Sequence, residues 1–470
     1  MNGDLPQGWA TTPLSEISEI NPRHPKGLDD SLPVTFVPMA AVSESKPTFQ
    51  LTEERPLGEV RKGFTHFREG DVLFAKITPC MENGKGAVAT GLRNGLGCGT
   101  TELHVIRPLA EVNPNYIYRF LSQPLIRHAA KDNFTGTAGQ SRVPTSFIEQ
   151  LELPLAPLAE QQRIVAKLEL LLGQVEACQQ RLDKIPTLLK RLRQAVLAAA
   201  CSGRLTEDWR GENPKVQPTE RLGEGEPPSD FDLPSTWNWL LSSHAFGFVT
   251  SGSRGWARYY SDEGSLFLRV GNLNHDAITL DLSSIQRVSP PSSAEGRRTK
   301  VIEGDILVSI TADVGMVALV EAGLEEAYIN QHVALARPIG NIDRRYLAYF
   351  LAAKNGGQEQ FLNLQRGATK VGLGLDDIRS IWIARPPLHE QQEIVRRVER
   401  LFALADNIEQ RYKKAQAFID KLTPSLLAKA FRGELVPQDP GDEPAAALVG
   451  RIKDTKQEKP KARRRKERYA

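Results

Sequence analysis

At 470 residues the chain is longer than one hydrophobic core usually supports, so several domains are expected. Its apolar fraction of 40% and charged fraction of 25% are typical of a globular protein, and no apolar run approaches the roughly 18 residues of a membrane span. The start lacks the pattern of a secretory signal. The cysteines form no Cys-x-x-Cys pair, which favours a reducing, cytoplasmic setting without metal clusters.

The net charge of +3 is unevenly distributed along the chain. Residues 451–470 carry +7, so the remainder carries −4. A basic end of this kind is typical of a solvated, disordered tail, and in some proteins it is an arm that contacts phosphates. We expect the disordered tail here, and the overall isoelectric point gives no argument for nucleic-acid binding.

The first 157 residues have the pattern of a domain that mixes strands and helices. Short strand-like runs such as GDVLFAKIT (70–78) are bounded by Gly-Asp or Asn-Gly turns, and a helix is expected near 114–131. The loop GTAGQSRV (136–143) follows that helix.

A long helix is predicted next, over 158–205. Pro157 stands just before it, where a missing N–H does no harm, and Gly203 supplies the stop. Apolar residues recur every seven positions in two interleaved series, which is typical of a coiled-coil seam. The series are Ile164, Leu171, Cys178, Ile185 and Leu192, and Leu168, Val175, Leu182, Leu189 and Val196.

The sequence of this helix is repeated 230 residues later. LAEQQRIV (158–165) becomes LHEQQEIV (388–395), and 18 of 53 positions are identical between 153–205 and 383–435. About three identities are expected by chance, so the duplication is real. The equivalent seam positions are Ile394, Leu401, Ile408, Ala415 and Leu422, with Val398, Ala405, Tyr412, Ile419 and Leu426. Pro186 and Pro424 interrupt the two patterns and predict a kink or a frayed last third.

The flanking segments repeat more faintly. LPQGW (5–9) corresponds to LPSTW (233–237), Arg107-Pro108 to Arg337-Pro338, and YIYRFL (116–121) to YLAYFL (346–351). Residues 206–232 are rich in Pro, Gly and Glu, as a linker is. The predicted organisation is a first domain 1–157, a helical region 158–205, a linker 206–232, a second domain 233–387, a helical region 388–435 and a basic tail 436–470.

Two like halves in one chain most simply arrange around a pseudo-two-fold axis, which makes their helices antiparallel. We therefore expect an α+β fold, with two globular domains held apart by two long antiparallel coiled-coil helices and related as an internal repeat.

This layout resembles the specificity subunit of type I restriction–modification systems. The resemblance rests on LAEQQRIVAKLE, LHEQQEIVRRVE and GDVLFAKITPCMENGKGAV (70–88), and it covers residues 5–435. It implies two target-recognition domains, each reading one half of a bipartite, asymmetric sequence of double-stranded DNA. It also implies paired helices that fix the spacer and dock two methyltransferase (modification) subunits, which two restriction (motor-nuclease) subunits then join. S-adenosylmethionine, ATP and Mg would belong to those partners, and none to this chain.

The residues agree with the absence of catalysis that the resemblance implies. The chain has neither an amino-methyltransferase tetrapeptide, [ND]-P-P-[YF], nor a Walker phosphate loop. Its histidines show no metal-ligand spacing, and no Ser/His/Asp order stands out. We expect no catalytic residue and no metal site.

Candidate DNA contacts follow from composition, because base edges and phosphates are bound by Arg, Lys, Asn, Gln, Ser and Thr on loops. In the first domain they are Lys76, Thr78, Asn83, Lys85, Thr137, Gln140, Ser141 and Arg142. In the second they are Arg254, Trp256, Arg258, Arg269, Thr311, Arg366, Thr369 and Lys370. The alternative is that these loops are plain connectors with solvated charges, and Arg269 in a strand is also explained as a structural partner.

The Glu-Gln-Gln triplets open both long helices in the same phase. A carboxylate in the first helical turn is favourable by itself, whereas repetition in both halves also suits two identical partners. On the resemblance we favour partner binding by Glu160, Gln161, Gln162, Glu390, Gln391 and Gln392. The alternative function is a non-catalytic coiled-coil adaptor whose two domains bind proteins, and it predicts no salt-dependent affinity for DNA.

Overall fold

The computed structural model describes residues 5–44, 46–50, 52–109, 111–136, 141–228, 232–365 and 372–466, and for 457–466 it describes the backbone alone. The chain divides into two compact units. Unit 1 is Met1–Leu182 with Ala415–Ala470, and unit 2 is Asp183–Lys414. Each unit therefore contains one copy of the repeated globular domain together with segments of both predicted helical regions.

The strands are short, and most are buried on at least one face. They are β1 (Ala10–Pro13), β2 (Ser18–Ile20), β3 (Pro33–Val37), β4 (Glu53–Pro56), β5 (Thr65–Arg68), β6 (Val72–Ala75), β7 (Gly86–Val88), β8 (Leu96–Gly99), β9 (Leu103–Pro108), β10 (Glu152–Leu155), β11 (Asn238–Leu241), β12 (Phe246–Ser251), β13 (Tyr260–Ser261), β14 (Ser265–Leu268), β15 (Arg287–Val288), β16 (Ile306–Ser309), β17 (Val317–Leu319), β18 (Ala327–Ile329), β19 (Val333–Pro338) and β20 (Trp382–Arg385).

The helices range from single turns to one of 44 residues. They are α1 (Leu14–Ile17), α2 (Leu57–Val60), α3 (Pro114–Leu121), α4 (Pro124–Asp132), α5 (Thr145–Gln150), α6 (Leu158–Leu182), α7 (Ile185–Cys201), α8 (Glu207–Glu212), α9 (Ser242–Ala245), α10 (Ala294–Thr299), α11 (Arg344–Ala352), α12 (Glu359–Leu364), α13 (Leu375–Arg379), α14 (Leu388–Phe431) and α15 (Ala445–Lys466).

The domain of unit 1 is built on two four-stranded sheets. The order β2-β9-β6-β7 is antiparallel throughout. The order β4-β3-β8-β5 contains one parallel pair, β3 with β8. A separate antiparallel pair, β1 with β10, joins the start of the domain to the strand that leads into α6. All four residues of β6 are buried, because this apolar run lies in the middle of the core.

The domain of unit 2 repeats that plan. Its first sheet, β12-β19-β16-β17, is antiparallel, and its second, β13-β15-β14-β18, again has one parallel pair, β14 with β18. β11 pairs with β20 as β1 pairs with β10. The second sheets differ at their edges, since β5 extends the sheet beyond β8 in unit 1 and β13 extends it beyond β15 in unit 2. The mixed helix and sheet class predicted from the sequence is confirmed.

Equivalent tyrosines fix the main helix of each domain. The hydroxyl of Tyr116 in α3 donates to the Pro154 carbonyl at 2.6 Å, and that of Tyr346 in α11 donates to the Ala384 carbonyl at 2.5 Å. Both rings are buried. A buried hydroxyl needs such a partner, so the repeated YIYRFL and YLAYFL segments have the same structural role.

Within each unit the helical segments pack antiparallel. In unit 1 the amides of Gln179 and Gln416 pair at 2.9 and 3.0 Å. In unit 2, Arg193 contacts Asp406 and Glu409 at 2.7 and 2.9 Å. The predicted seam positions are buried or half-buried except Cys178 and Leu192, which are exposed.

The two prolines have different consequences. The first helical region is interrupted after Leu182 and resumes at Ile185, which places Pro186 in the first turn of α7, where it is tolerated. α14 continues through Pro424 to Phe431. The predicted interruption is therefore confirmed at Pro186 and not found at Pro424.

The predicted disordered tail is wrong for its described part. Residues 445–466 form α15, and Ala445, Leu448 and Ile452 are buried in the core of unit 1. Their spacing places them on one helical face, so burial of this apolar stripe outweighs the charge of the segment. The predicted linker is also partly ordered, since it contains α8 and bonds along β11 through Leu222.

Candidate nucleic-acid interface

An ion pair with a buried aspartate fixes the end of the central strands in each domain. Arg107 in β9 contacts both carboxylate oxygens of Asp71 at 2.7 and 2.9 Å. Arg337 in β19 contacts Asp305 in the same way at 2.7 and 2.8 Å. Each aspartate also accepts a backbone N–H of its own turn, and the preceding glycine has a positive φ of 81° or 83°. The assignment of the Gly-Asp pairs to turn structure is confirmed.

At the opposite end of these strands, unit 1 presents a charged edge. Arg142 donates two hydrogen bonds of 2.8 Å to the carboxylate of Glu102, which directly precedes β9. Hydrogen bonding to Arg142 lowers the pKa of Glu102, with a smaller contribution from the positive charge of Lys76. The Lys76 carbonyl accepts the Val143 N–H at 2.9 Å, which holds the 141–143 segment against the loop after β6. We call Lys76, Glu102 and Arg142 the unit 1 edge.

The other predicted contacts of unit 1 are less available. The Thr78 hydroxyl donates to Glu82 at 2.5 Å, and the Lys85 ammonium donates to the Met39 carbonyl at 3.1 Å. Asn83 is exposed and lies 3.5 Å from Glu44. The Ser141 carbonyl accepts the Thr78 N–H at 3.2 Å, and Thr137 and Gln140 lie outside the described residues.

Unit 2 has a polar cavity at the corresponding edge. Thr311 hydrogen-bonds through its hydroxyl to Nδ1 of His332, which directly precedes β19 as Glu102 precedes β9. A cavity of about 330 Å³ opens beside them. It is lined by Arg269, Val270, Gly271, Asn272, Ser284, Ala312, Asn330 and His332. We call Arg269, Thr311, Asn330 and His332 the unit 2 edge.

Asn272 fixes the loop that follows Arg269 through hydrogen bonds with the backbone. The Arg269 N–H donates to the Asn272 side chain at 2.9 Å, and that side chain donates to the Asp281 and Ser284 carbonyls. Arg269 is half-buried, so both the structural and the DNA-contact interpretation are compatible with its position. Arg366, Thr369 and Lys370 lie outside the described residues.

The assignment of Trp256 as a DNA contact is wrong. Its ring is 2% exposed and stacks on Phe267 with centroids 5.2 Å apart. Its Nε1 donates to Glu295 at 2.6 Å. An aromatic ring with its N–H satisfied inside a cluster stabilises the core and has no surface left for a base. Arg254 and Arg258 remain exposed, and Arg258 lies over the Tyr259 ring at 4.7 Å.

The Glu-Gln-Gln triplets are mainly structural, which contradicts the predicted partner role of four residues. Glu160 and Gln161 are 1% and 0% exposed, and Glu390 and Gln391 are 0% and 1% exposed. Gln161 accepts the Asn113 N–H and donates to the Ala156 carbonyl, and Gln391 does the same with Asp343 and Pro386. Only Gln162 and Gln392 of the six are exposed.

Each buried glutamate joins three parts of its unit. Glu160 accepts Nε1 of Trp9 at 3.0 Å and the Gln438 amide at 3.3 Å. Burial raises the pKa of Glu160, and these hydrogen bonds oppose that rise. Arg163, one residue beyond the triplet, forms an ion pair of 2.6 Å with Asp442.

Glu390 has the equivalent position in unit 2. It accepts Nε1 of Trp237 at 2.8 Å, the Thr206 hydroxyl at 2.7 Å and the Arg210 guanidinium at 2.5 Å. In both units the added donor comes from the segment that follows a long helical region. The duplicated LPQGW and LPSTW motifs contain the two tryptophans and were the signal that could have revealed these contacts.

Sequence reasoning also missed Glu102, Asn330 and His332. The aligned Arg107 and Arg337 place Glu102 and His332 at equivalent positions, 230 residues apart, which is a signal present in the sequence. Among the described residues no group of three or more His, Cys, Asp or Glu side chains could hold a metal ion. In the same part of the chain, no helix has the length and apolar character needed to cross a membrane.

The model of the type I restriction modification DNA specificity domain matches residues 6–187 and 291–417 of the chain. The chain belongs to this family. The EcoKI specificity subunit of Escherichia coli (strain K12) is 32% identical over 494 residues, covering 96% of each chain. The EcoEI specificity subunit of Escherichia coli is 29% identical, covering 88% of this chain and 81% of its own length.

Solved structures agree on the fold of this specificity-domain protein. The HsdS subunit of Thermoanaerobacter tengcongensis aligns with a TM-score of 0.61 at 22% identity, covering 92% of this chain and 99% of that chain. A chain from a study of complex assembly and conformational transition of a type I restriction–modification system aligns at 0.70, also with 22% identity, covering 92% and 100%. The resemblance stated from the sequence motifs is confirmed.

Proposed function

We propose that this member of the family is a non-catalytic subunit that binds a bipartite, asymmetric DNA target. It directs methyltransferase subunits, and restriction subunits where its host has them, to that target in the cytoplasm. The supporting observation is that the two domains keep one frame and differ at one edge. The frame consists of the Asp71–Arg107 and Asp305–Arg337 pairs and the two tyrosine bonds.

The edges differ in charge and shape. In unit 1 the edge is a carboxylate–guanidinium pair with a lysine beside it, and in unit 2 it is a polar cavity with a threonine–histidine bond. Hydrogen-bond donors and acceptors of different pattern recognise different base edges. Two unlike readers on one frame therefore support an asymmetric target.

The decisive experiment is a methylation assay with the partner methyltransferase and DNA of mapped modification sites. We expect sequence-selective methylation only when this chain is present. Unchanged methylation without the chain would refute the proposal. DNA affinity that does not vary with salt would instead favour the protein-binding adaptor.

The two edges are tested separately by Lys76→Gln in unit 1 and Arg269→Gln in unit 2. Loss of a side-chain contact that reads a base is expected to weaken recognition by about 1–3 kcal/mol. K76Q should relax one half of the methylated sequence and leave the other half intact, and R269Q should do the reverse. Each variant is the control for the other.

For the partner surface we propose exposed residues that occupy equivalent positions in both copies. Leu188 in unit 2 is 57% exposed and Phe418 in unit 1 is 65% exposed. These two residues are 230 positions apart, as are the exposed Gln162 and Gln392. A repeated apolar side chain on a helix surface suits two copies of one partner. Leu188→Glu or Phe418→Glu should lower the number of bound methyltransferase subunits from two to one. Leu404→Glu, which has no apolar counterpart in the other copy, is the matched control.

A further inference from the structure

The loop after β12, residues 252–259, is fixed at the unit 2 edge. The Gly252 N–H donates to the carbonyl of Asn330, a residue of that edge, at 3.1 Å. A Cβ atom at Gly252 would lie 2.2 Å from the carbonyl carbon of Asn330, so only glycine permits this approach. The loop therefore begins directly beside the surface that we propose to read DNA.

The short helix α10 holds this loop in place. Arg298 in α10 donates to the Ser253 hydroxyl at 2.8 Å. Near the other end of the loop, the buried Trp256 donates from Nε1 to Glu295 in α10 at 2.6 Å. Contacts with α10 on both sides of Arg254 thus fix the backbone at this residue, whose side chain is exposed.

Loop and helix together carry an excess of positive charge. Residues 252–259 and 294–299 contain four Arg and one Glu, a net charge of +3. Arg298 bonds neutral oxygen atoms of the loop and of β12. The other three arginines are exposed, and none of them forms an ion pair within the part of the chain that the structure describes. We call these three residues the basic face of unit 2: Arg254, Arg258 and Arg297.

The acidic residues that follow the loop lie away from the unit 2 edge. Asp262 and Glu263 belong to the turn that joins β13 to β14. β14 runs from this turn to Arg269, so the turn lies at the end of the second sheet opposite that arginine. The two carboxylates therefore do not neutralise Arg254 beside the edge.

The equivalent loop of unit 1 is balanced in charge. Residues 22–31 follow β2 as 252–259 follow β12, and they contain two basic and two acidic residues, Arg23, Lys26, Asp29 and Asp30. Arg61 follows α2 and anchors this loop as Arg298 anchors the other, but it forms an ion pair of 2.8 Å with Asp30. The same support thus carries a neutral loop in unit 1 and a basic loop in unit 2.

We propose that the basic face of unit 2 binds the phosphate backbone of DNA beside the half-site that the unit 2 edge reads. The inference rests on the proposed function. Double-stranded DNA carries one negative charge per about 1.7 Å of its axis, so arginines on a fixed loop match the backbone without selecting bases. The face adds affinity on one side of the target and leaves the recognised sequence unchanged.

The test uses the full chain assembled with its methyltransferase subunits, and a triple variant, Arg254→Gln, Arg258→Gln and Arg297→Gln. Each lost phosphate contact lowers the slope of log affinity against log salt by about 0.9. We expect the triple variant to lose about 2–3 from that slope and to methylate the same sequence. The matched Arg→Lys variant keeps the charge and should keep the slope. Arg344→Gln is the control, because Arg344 is exposed beside Glu303, at the opposite end of the central strands.

Neutral methylphosphonate linkages in the DNA locate the contact. Beside the unit 2 half-site they should weaken binding of the unsubstituted chain and have no further effect on the triple variant. Beside the unit 1 half-site they should weaken binding of both chains equally.

An unchanged slope in the triple variant would overturn the proposal. A changed methylated sequence would mean that the face reads bases, and weaker methyltransferase binding without DNA would assign it to a protein contact. Either result would also overturn the proposal. Failure of the proposed function is distinguishable, because the unsubstituted complex would then show no sequence-selective methylation.

Discussion

The two units contain the same buried carboxylate at the start of a long helix but neutralise it differently. Glu160 receives a tryptophan N–H and an amide, and Glu390 receives a tryptophan N–H, a hydroxyl and a guanidinium. The duplicated part is the contact between tryptophan and glutamate, which joins the domain to its helix. The other donors differ between the units, since they are the Gln438 amide in unit 1 and the Thr206 hydroxyl and Arg210 guanidinium in unit 2. The repeat therefore preserves the frame of each domain, whereas the contacts that complete each buried glutamate vary.

The same separation applies to the surfaces proposed to read DNA. The Asp–Arg pairs that set the strand ends are alike in both units, and the edges at Glu102 and His332 are unlike. A frame with fixed strand geometry tolerates different side chains at its loops, because those loops lie at the surface. Variation at the edge therefore changes recognition without changing the fold.

The largest expected effect on stability comes from substitution of the two buried glutamates. Glu390→Gln leaves the half-buried Arg210 without its counter-ion and should destabilise unit 2 by about 3–5 kcal/mol. Glu160→Gln leaves neutral donors that an amide oxygen still accepts, so about 1 kcal/mol is expected in unit 1. Denaturant unfolding followed by hydrogen exchange of peptides from each unit measures both. Equal effects in the two units would show that the guanidinium adds nothing.

The next effect concerns the stability of the two cores, where Phe431 and Cys201 occupy equivalent positions 230 residues apart. Phe431 is 1% exposed and packs against Tyr116 and Phe120 with centroids 4.9 and 5.4 Å apart, whereas the equivalent Cys201 is a small buried thiol. Phe431→Ala should destabilise unit 1 by about 3–5 kcal/mol through the cavity it leaves. Cys201→Ala should cost about 1 kcal/mol in unit 2 because it removes only one atom from the core. Thermal unfolding of both variants would contradict this ranking if C201A were the less stable protein.

Acid should weaken the domain of unit 1 through the half-buried His24 and the buried His66 and His104. Burial lowers the pKa of His24 to about 4 and also lowers the pKa of His66 and His104. Between pH 6.5 and 4 the unfolded chain binds a proton at His24 that the folded domain does not bind. The stability that the neutral His24 contributes is thus fully present above pH 6.5 and is lost as the pH falls towards 4. His24→Gln should flatten the dependence of the unfolding midpoint on pH between 7 and 5, and an unchanged slope would assign the dependence to other groups.

The smallest effect separates the helix contacts of the two units. Arg193 pairs with Asp406 and Glu409 in unit 2, whereas in unit 1 Gln179, at the position equivalent to Glu409, forms a neutral pair with Gln416. Arg193→Gln should cost about 0.5–1 kcal/mol, and the cost should shrink at high salt because ions screen the pair. Gln179→Ala should cost a similar amount at every salt concentration. Hydrogen exchange along the helices at two salt concentrations tests this difference.

Much of the fold followed from local pattern in the sequence. The seven-residue apolar repeat predicted the long helices, which begin at Leu158 and Leu388, and the Gly-Asp pairs predicted turns where glycine adopts positive φ. The 230-residue offset predicted two like domains. These features depend on neighbours in the chain or on comparison of one copy with the other, so a single sequence is sufficient to find them.

The roles of individual polar residues were decided by tertiary contacts. Trp256 has the composition of a DNA contact and lies in a core, and Glu160 and Glu390 look like surface charges and are buried beneath tryptophans from distant segments. The tail was judged by its charge, yet Leu448 and Ile452 attach it to the first domain. The helices and turns could be predicted from the sequence because they depend on short-range geometry, and the duplication could be predicted because its two copies can be compared. Which charges are buried and which face solvent became known from the folded chain, because burial depends on segments that lie far apart in the sequence.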